Sequence, residues 1–287
     1  TGAFTNRVTF KAYLIFLVAW LMLVYIPFVH MVWGGGLLAK WGVLDFAGGI
    51  VVHAIAGMAA LASVVFVGTR AVKEKGPHSI PLVALGTGLL WFGWYGFNAG
   101  SALSVNEVTV IAFLNTDLAA SVAGVVWLIW SWVFDKKPKF LGLLTGMVAG
   151  LATITPAAGY VTPAAAMVIG ILAGSVCYLA IMFKNRRGWD DALDVWGVHG
   201  VGGVLGVVSL GIFATLGVNA AGADGLLAGN PGFFGKEVAA VAFASGYAFA
   251  FTYAMLWLIN KVTPVRTTKE EEEIGLDSAL HGEVAYE

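Results

Sequence analysis

The sequence contains little charge. Asp, Glu, Lys and Arg make up 11% of its 287 residues and apolar residues make up 59%, whereas an ordinary soluble domain carries roughly 25% charged residues. This composition excludes a water-soluble globular protein. The 16 Lys and Arg residues are balanced by 17 Asp and Glu, which leaves a net charge of −1. Without a broad basic surface to neutralise phosphates, the chain is not expected to bind nucleic acid.

Cysteine is nearly absent as well. The single cysteine, Cys177, stands inside an apolar run, which excludes an internal disulfide, a cysteine-based zinc site and an iron–sulfur cluster. Glycine, by contrast, is abundant at 38 residues, without the period of three that collagen requires. Because the glycines stand among Leu, Val and Ala, we interpret them as positions where helices approach one another closely.

Long apolar stretches occupy most of the chain. A helix needs about 20 mostly apolar residues to cross a bilayer. No stretch alternates polar and apolar residues with the period of two that barrel strands show. The sequence therefore predicts an all-α polytopic membrane protein with eight spans, at residues 10–33, 45–68, 80–103, 108–134, 141–158, 163–183, 193–217 and 235–261.

Basic residues are distributed unevenly between the two sets of loops. Fourteen of the 16 Lys and Arg residues, Lys73 and Lys75 among them, fall on one side of the eight spans, and Lys40 and Lys236 fall on the other. Basic loops stay in the cytoplasm, so both chain ends are predicted to be cytoplasmic. Residues 1–264 then form the membrane region. Residues 265–287 form a cytoplasmic tail that is too charged to enter lipid, or alternatively a solvated, frayed end.

Two segments of the sequence are similar to each other. Residues 45–53 begin with Asp and end with His53, residues 191–199 begin with Asp and end with His199, and a glycine follows each histidine after four residues. The segments lie in spans of opposite direction, which predicts an inverted-repeat helix bundle. Because inverted repeats bring equivalent positions together, we expect the two histidines to meet. Two unrelated buried histidines, each bonded to a helix carbonyl, are the alternative.

Ionisable residues within the spans are few, and their cost in lipid marks them as functional candidates. His53 and His199 are the foremost of these, since a neutral imidazole has one donor and one acceptor and can pass a hydrogen bond along. Asp45, Asp191 and Asp194 stand at predicted helix starts, where capping of backbone N–H groups is the expected role. The charge of Asp45 could alternatively favour an arriving cation.

Aromatic residues crowd the outer ends of the spans, and most are expected to form an interfacial belt. Trp33 differs, because the glycines at 34–36 leave one face of its indole open to a cation. Spacings of three and four place Trp94, Phe97 and Ser101 on one helical face. No nucleophile stands with a base and an orienting acid at the spacing of a membrane hydrolase, so neither an enzyme nor a catalytic residue is predicted.

Seven motifs together resemble the Amt/Mep/Rh family of ammonium transporters, nearest its bacterial and archaeal Amt branch. The resemblance implies a homotrimer in which each eleven-helix subunit has its own pore. The eight predicted spans match the last eight of those eleven, so the family's first three helices and the second phenylalanine of its gate have no counterpart in this sequence. The motifs are Gly2-Ala3-Phe4-x-x-Arg7, Met31-Val32-Trp33-Gly34-Gly35-Gly36, Asp45-Phe46-Ala47-Gly48-Gly49-x-Val51-Val52-His53, Trp94-x-Gly-Phe97-Asn98-Ala99-Gly100-Ser101, Thr155-Pro156-Ala157-x-Gly159, Asp194-x-x-Gly197-Val198-His199-Gly200, and Gly275-Leu276-Asp277 with His281-Gly282-Glu283.

The resemblance also implies roles for single residues, and neither a cofactor nor a metal. Trp33 and Ser101 match the outer site that recruits ammonium, and Asp45 matches the acid that supports this site without touching the substrate. His53 and His199 match the twin histidines of the pore. Phe97 matches the aromatic gate above them, and Trp94 matches a residue that lines the path. In the tail, Gly275, Asp277 and His281 match the segment through which PII signal proteins act.

The implied function is transport of ammonium or methylammonium across the cell membrane, with recruitment outside, deprotonation near Phe97 and passage of ammonia along the histidines. A sensor that signals to a PII protein through the tail is the alternative. One residue departs from the family pattern. Asp117 occupies a span position where a neutral residue is expected, and it either faces the vestibule or bonds a neighbouring helix.

Overall fold

A computed structural model describes residues 1–72 and 76–284 of the chain. Lys73 and Lys75 of the predicted basic loop, and residues 285–287 of the predicted tail, lie outside the described residues. Within the described part the structure is helical apart from one isolated antiparallel bridge between Val8 and Arg266. The α-helices are α1 (Phe10–Trp20), α2 (Ile26–Val32), α3 (Leu37–Trp41), α4 (Ile55–Val67), α5 (Ile80–Gly100), α6 (Glu107–Asp135), α7 (Phe140–Ile154), α8 (Pro163–Arg186), α9 (Gly202–Phe213), α10 (Pro231–Val262) and α11 (Lys269–Ile274).

The predicted all-α membrane class is confirmed, but the number of full-length spans differs by one. The predicted span 141–158 is α7, whose 15 residues rise only about 22 Å, less than the ~30 Å of a hydrocarbon core. The helix ends just before Thr155 and Pro156, since proline has no N–H group to continue it. The seven segments of spanning length among the described residues are Phe10–Trp41, Gly49–Val67, Ile80–Gly100, Glu107–Asp135, Pro163–Arg186, Trp196–Phe213 and Pro231–Val262.

The inverted repeat is visible in the backbone around the two histidines. His53 lies in a π-helical turn, Gly49–Ala54, that leads into α4. His199 lies in a second π-helical turn, Trp196–Val201, that leads into α9. Such turns are rare and occur mostly at functional sites. The similar segments of the sequence thus fold into the same uncommon local structure.

The two repeat segments cross where their glycines stand. A Cβ atom on Gly57 would lie 2.0 Å from the Cα atom of Gly200, and a Cβ atom on Gly203 would lie 2.6 Å from the backbone nitrogen of Ala54. No side chain fits into either space. The glycines that follow the histidines therefore permit two backbone contacts, one between α4 and the turn before α9 and one between α9 and the turn before α4.

Apolar packing on both sides of this crossing holds it in place. One cluster of buried side chains joins α1, α2, α4 and α10, with Phe28, Ile55 and Leu256 among its members. A second cluster joins α6, the turn after α7, and α8 and α9, with Ile154 and Leu210 among its members. Both clusters include residues of the repeat segments, and the interface of two inverted repeats is where such a protein places its working site.

An ionic network ties the loops together at the end of the bundle predicted to be cytoplasmic. Arg7 is fully buried and donates to the carbonyl oxygens of Gly68 (2.9 Å), Ala3 (3.0 Å) and Asp190. The carboxylate of Asp190 pairs with the Arg70 guanidinium at 2.7 Å. These contacts join the chain before α1 to the loops that follow α4 and α8.

This network predicts a loss of stability in acid. Burial alone raises the pKa of Asp190, but hydrogen bonds from Arg70 and the charges of Arg7 and Arg70 outweigh it and lower the pKa to about 2. The stabilisation is therefore complete above the unfolded value near 3.9 and is lost as the pH falls through about 2. We expect Asp190→Asn to unfold at a lower temperature than wild type at neutral pH, and the difference to shrink between about pH 4 and pH 2. Thermal unfolding in detergent measures this. Glu273→Gln, in an exposed pair with Lys269, is the control and should change little.

Candidate functional site

The crossing of the two repeat segments opens onto a cavity of about 570 Å³. Most of its wall is apolar, and the two imidazoles and the Trp94 indole are the groups in the wall able to form strong hydrogen bonds. The lining residues are Val52, His53, Ala56, Leu90, Gly93, Trp94, Phe97, Val195 and His199. An apolar cavity with a few converging polar groups is the usual form of a small-molecule site.

His53 and His199 form a contacting pair in this wall. Their Nδ1 atoms lie 3.2 Å apart, and their rings stack with centroids 5.2 Å apart and planes inclined by 24°. His53 is 3% exposed. One ring must donate and the other accept, because two N–H groups cannot bond to each other.

Trp94 and Phe97, both on α5, surround His53. The Trp94 indole stacks on the His53 ring at 5.3 Å with planes inclined by 19°. The Phe97 ring lies 6.1 Å from His53 and 5.7 Å from Trp94. The spacing of three thus brings both aromatic rings to the same imidazole. Together with His199 they form the aromatic cluster of the cavity.

Thr155 completes the hydrogen bonding of His53, a role that the sequence analysis missed. Its hydroxyl donates to the Leu151 carbonyl (2.8 Å), accepts from the Trp94 indole (3.0 Å), and lies 3.3 Å from Nε2 of His53. A hydroxyl has one hydrogen, which is used on Leu151. The sequence contained the signal, since Thr155-Pro156 is one of the family motifs, but a separation of 102 residues from His53 hid the contact.

These contacts assign the hydrogens of the pair when both rings are uncharged. The Thr155 hydroxyl donates its one hydrogen to the Leu151 carbonyl and can only accept from His53. Nε2 of His53 therefore carries a hydrogen and donates it to Thr155. Nδ1 of His53 is then an acceptor, and Nδ1 of His199 carries the hydrogen that lies between the rings. The second nitrogen of His199, Nε2, keeps a free lone pair. The assignment gives the pair one defined tautomer.

Trp33 and Asp45 form a second group, before the first π-helical turn. The Trp33 indole is 44% exposed, and its N–H group donates to the backbone carbonyl of Asp45 at 2.7 Å. The Asp45 carboxylate is 4% exposed and accepts four backbone hydrogen bonds, from residues 48–51, at 2.6 to 3.1 Å. The side chain of Asp45 therefore caps a helix start, while its backbone orients Trp33.

Ser101 stands at the end of α5, one turn beyond Phe97. Its hydroxyl donates to the Phe97 carbonyl at 2.8 Å, so the side chains at 97 and 101 lie on the same side of the helix. Ser101 is half-buried. α5 thus carries, in order, Trp94 and Phe97 at the cavity and Ser101 at the helix end nearest to the predicted outer face.

The remaining acids have structural partners. Asp117 accepts a hydrogen bond from Tyr95 at 2.6 Å. Of the two alternatives for this residue, it therefore bonds a neighbouring helix, α5. Asp191 caps the second π-helical turn by accepting from the backbone N–H of Trp196 at 2.7 Å. Asp194 departs from the expected capping role, because its carboxylate pairs with Lys184 at 2.6 Å.

In residues 1–72 and 76–284 no group of three or more His, Cys, Asp or Glu side chains is placed to hold a metal ion.

The predicted regulatory residues lie around α11. Gly275 ends that helix with φ +92°, a conformation open mainly to glycine. Asp277 and His281 bound a short π-helical turn, and the His281 ring contacts Phe10 edge-on at 5.3 Å. Glu272 of α11 pairs with Arg266 at 3.0 Å and accepts from the backbone of Ala71 at 2.6 Å. The segment is thus attached to α1 and to the loop after α4.

Comparison with known proteins gives the relatives of the chain. A sequence model described as Ammonium Transporter Family matches residues 1–286. The chain is 45% identical over 289 residues to an ammonium transporter of Bacillus subtilis, covering 100% of this chain and 72% of the relative. It is 47% identical over 289 residues to Ammonium transporter Amt1 of Archaeoglobus fulgidus, covering 100% of this chain and 73% of the relative.

Solved structures have the same fold. Mep2 of Saccharomyces cerevisiae superposes with a TM-score of 0.87 at 34% identity, covering 93% of this chain and 64% of Mep2. A structure described as Sensor Amt Protein superposes with a TM-score of 0.90 at 34% identity, covering 98% of this chain and 72% of that one. The chain therefore spans less than two thirds of Mep2 and about seven tenths of the bacterial and archaeal relatives.

Proposed function

Because the chain belongs to the ammonium transporter family, we propose that it is a multi-pass membrane protein that moves ammonium. It recruits the cation at an outer site, removes a proton near Phe97, and conducts ammonia along His53 and His199. The single observation that carries this proposal is the histidine pair, with Nδ1 atoms 3.2 Å apart, in the wall of an otherwise apolar cavity.

An apolar passage selects ammonium by its chemistry. A bare cation entering a medium of low dielectric constant loses hydration worth tens of kcal/mol in the idealised limit. Ammonium avoids this loss because it can release a proton and cross as neutral ammonia, whereas a potassium ion of similar size has no proton to release. The free lone pair on Nε2 of His199 supplies a hydrogen-bond acceptor for ammonia inside the cavity. Methylammonium has the same chemistry and serves as a convenient tracer.

The outer site of the proposal consists of Trp33 and Ser101, with Asp45 in support. The exposed face of the Trp33 indole attracts a cation through the ring quadrupole. The Ser101 hydroxyl has lone pairs free to accept from ammonium, since its hydrogen goes to Phe97. Asp45 acts through its backbone contact with Trp33 and through its buried negative charge.

Replacing Trp33 with leucine tests this site. We expect the methylammonium concentration that gives half-maximal uptake to rise roughly 2- to 30-fold, because a cation–π contact contributes about 0.5–2 kcal/mol. The maximal rate per protein in the membrane should change much less. Labelled methylammonium uptake into cells without other ammonium transporters measures both quantities. Trp132→Leu, on an exposed face of α6, is the matched control. An unchanged half-saturation in Trp33→Leu would remove Trp33 from the site.

The family resemblance supports further features of the proposal. Three copies assemble in the cell membrane as a homotrimer, each with its own pore, and the bilayer surrounds the apolar outer faces. Residues 1–264 form the transport region. Residues 265–287 form a tail on the cytoplasmic side. This is the side of the membrane to which the loops and chain ends with 14 of the 16 basic residues are assigned. A PII signal protein contacts this tail through Gly275, Asp277 and His281.

A sensor that reports ammonium to a PII protein is the second candidate function. The structural similarity to a protein described as Sensor Amt Protein, with a TM-score of 0.90, favours it. The two candidates differ in what the tail does.

Removing residues 275–287 separates transport from sensing. This truncation keeps Glu272 and its bonds to Arg266 and Ala71, so the fold should persist. If transport is primary, we expect methylammonium uptake to remain near the wild-type rate while PII binding is lost. If sensing is primary, uptake is negligible in both proteins and only the ammonium-dependent PII response disappears. Uptake assays and PII pull-down from membranes distinguish the two.

A further inference from the structure

A buried acid on α10 has no place in the proposed transport path. Glu237 is 0% exposed. One carboxylate oxygen, Oε1, accepts the backbone N–H of Leu44 at 2.7 Å. The other, Oε2, is buried without a hydrogen-bond partner among the described residues. A buried acid with a single hydrogen bond is costly, which points to a specific role for the bond to Leu44.

The hydrogen bond of Glu237 is made to the residue next to the one that orients the Trp33 indole. Leu44 precedes Asp45, and the carbonyl of Asp45 accepts the Trp33 N–H at 2.7 Å. Phe46, the residue after Asp45, donates its backbone N–H to the Pro156 carbonyl at 3.1 Å. The segment 44–46 is therefore held on one side by α10 and on the other by the turn after α7, with the carbonyl that orients Trp33 between the two attachments.

Glu237 itself is held firmly. α9 packs closely beside it, because a Cβ atom on Gly211 would lie 3.3 Å from the Cβ of Glu237. The whole side chain is also buried, so it has little room to rotate away from Leu44. A fixed acceptor on a long helix makes a more precise support than a loop residue would.

We propose that Glu237 is a positioning residue for the outer cation site: it fixes the amide of Leu44, and through it the Asp45 carbonyl that orients the Trp33 indole. This inference rests on the proposed function of Trp33 in recruiting ammonium. Glu237 touches no substrate, and its effect passes entirely through Trp33.

Two substitutions at Glu237 test the proposal. Glu237→Ala removes the acceptor, whereas Glu237→Gln keeps an oxygen that can accept from Leu44. Thr252→Val is the matched control, because Thr252 is also fully buried on α10 and also accepts a single long-range hydrogen bond, from Trp20 at 3.0 Å. Its 15-residue separation from Glu237 corresponds to about 22 Å along the helix.

The first measurement is amide hydrogen exchange at segment 42–48 in the purified protein. We expect exchange at Leu44 to accelerate roughly tenfold in Glu237→Ala, since its bond is lost, and to stay near wild type in Glu237→Gln and Thr252→Val. The second measurement is methylammonium uptake. Half-saturation should rise roughly 2- to 10-fold in Glu237→Ala with an unchanged maximal rate per protein in the membrane, and Glu237→Gln should restore it.

A double substitution shows whether the effect passes through Trp33. In a Trp33→Leu background, Glu237→Ala should raise half-saturation no further. Three results would overturn the proposal: unchanged exchange at Leu44, equal effects of Glu237→Ala and Thr252→Val, or additive effects of Trp33→Leu and Glu237→Ala. If the wild-type protein takes up no methylammonium, the proposed function fails. The exchange measurement then decides separately whether Glu237 holds the segment.

Discussion

Replacement of His53 by alanine is expected to remove most methylammonium uptake while the protein remains in the membrane. The substitution takes away the partner of His199, at 3.2 Å, and leaves the donor on that ring unpaired in an apolar wall. The tautomer of His199 is then no longer fixed, and ammonia that meets an N–H in place of the Nε2 lone pair lacks an acceptor. A buried N–H group without an acceptor costs about 1–3 kcal/mol, which corresponds to a roughly 5- to 150-fold lower rate. Initial uptake rates, normalised to protein in the membrane, measure the effect.

Ser63→Ala provides the control for this experiment. Ser63 is buried on α4, the helix that His53 leads into, and its hydroxyl bonds only locally, to the Ala59 carbonyl at 2.8 Å. We expect its uptake to stay close to wild type. If His53→Ala transported as fast as Ser63→Ala, the histidines would have no part in conduction and the proposed passage would be wrong.

The second large effect is expected from Gly57→Ala. The added Cβ atom would meet the Cα and backbone nitrogen of Gly200 at 2.0 Å, and backbone atoms cannot rotate aside as a side chain can. The helices must separate, which carries both histidines apart. Forcing extra atoms into a packed interior costs about 1–3 kcal/mol, occasionally more. We therefore expect a thermal midpoint several degrees lower and a severe loss of uptake.

Gly86→Ala tests whether the position, rather than the substitution, matters. Gly86 lies on α5, and apart from the backbone of α5 itself no atom of the described residues lies within 4 Å of a Cβ atom placed there. Alanine in a helix interior is favoured over glycine by roughly 0.5–1 kcal/mol, so this variant should be at least as stable as wild type. Equal stability of the Gly57 and Gly86 variants would contradict the close crossing of the repeats.

The sequence was sufficient for the fold class and for the crossing, and the reason is physical. Membrane spans need long apolar runs, and these can be read directly. The repeat was detectable because Asp45, His53 and Gly57 recur at the same spacing as Asp191, His199 and Gly203. The prediction of a full span at 141–158 was wrong, because the apolar composition continues past Pro156 while the helix ends at Ile154.

The contacts that support the site could not be predicted from the sequence. Thr155 and Glu237 reach their partners from 102 and 193 residues away, and no short-range pattern in the sequence marks either contact. In the sequence, Glu237 has the appearance of a solvated residue near the start of a helix. In the structure it is buried, with α9 packed beside it. Long-range polar contacts of this kind depend on the final arrangement of helices, which short-range patterns do not encode.

The hydroxyl of Thr155 also limits where a proton can travel. When a proton binds to Nε2 of His199, the hydrogen on Nδ1 of His199 can move to Nδ1 of His53, so that the positive charge passes to His53. The proton cannot pass beyond Thr155. The Thr155 hydroxyl donates its hydrogen to the Leu151 carbonyl and accepts one from the Trp94 indole, and an indole N–H cannot accept a hydrogen bond. In the proposed passage, a proton held by the pair would therefore leave through His199, and Thr155 would carry no steady current.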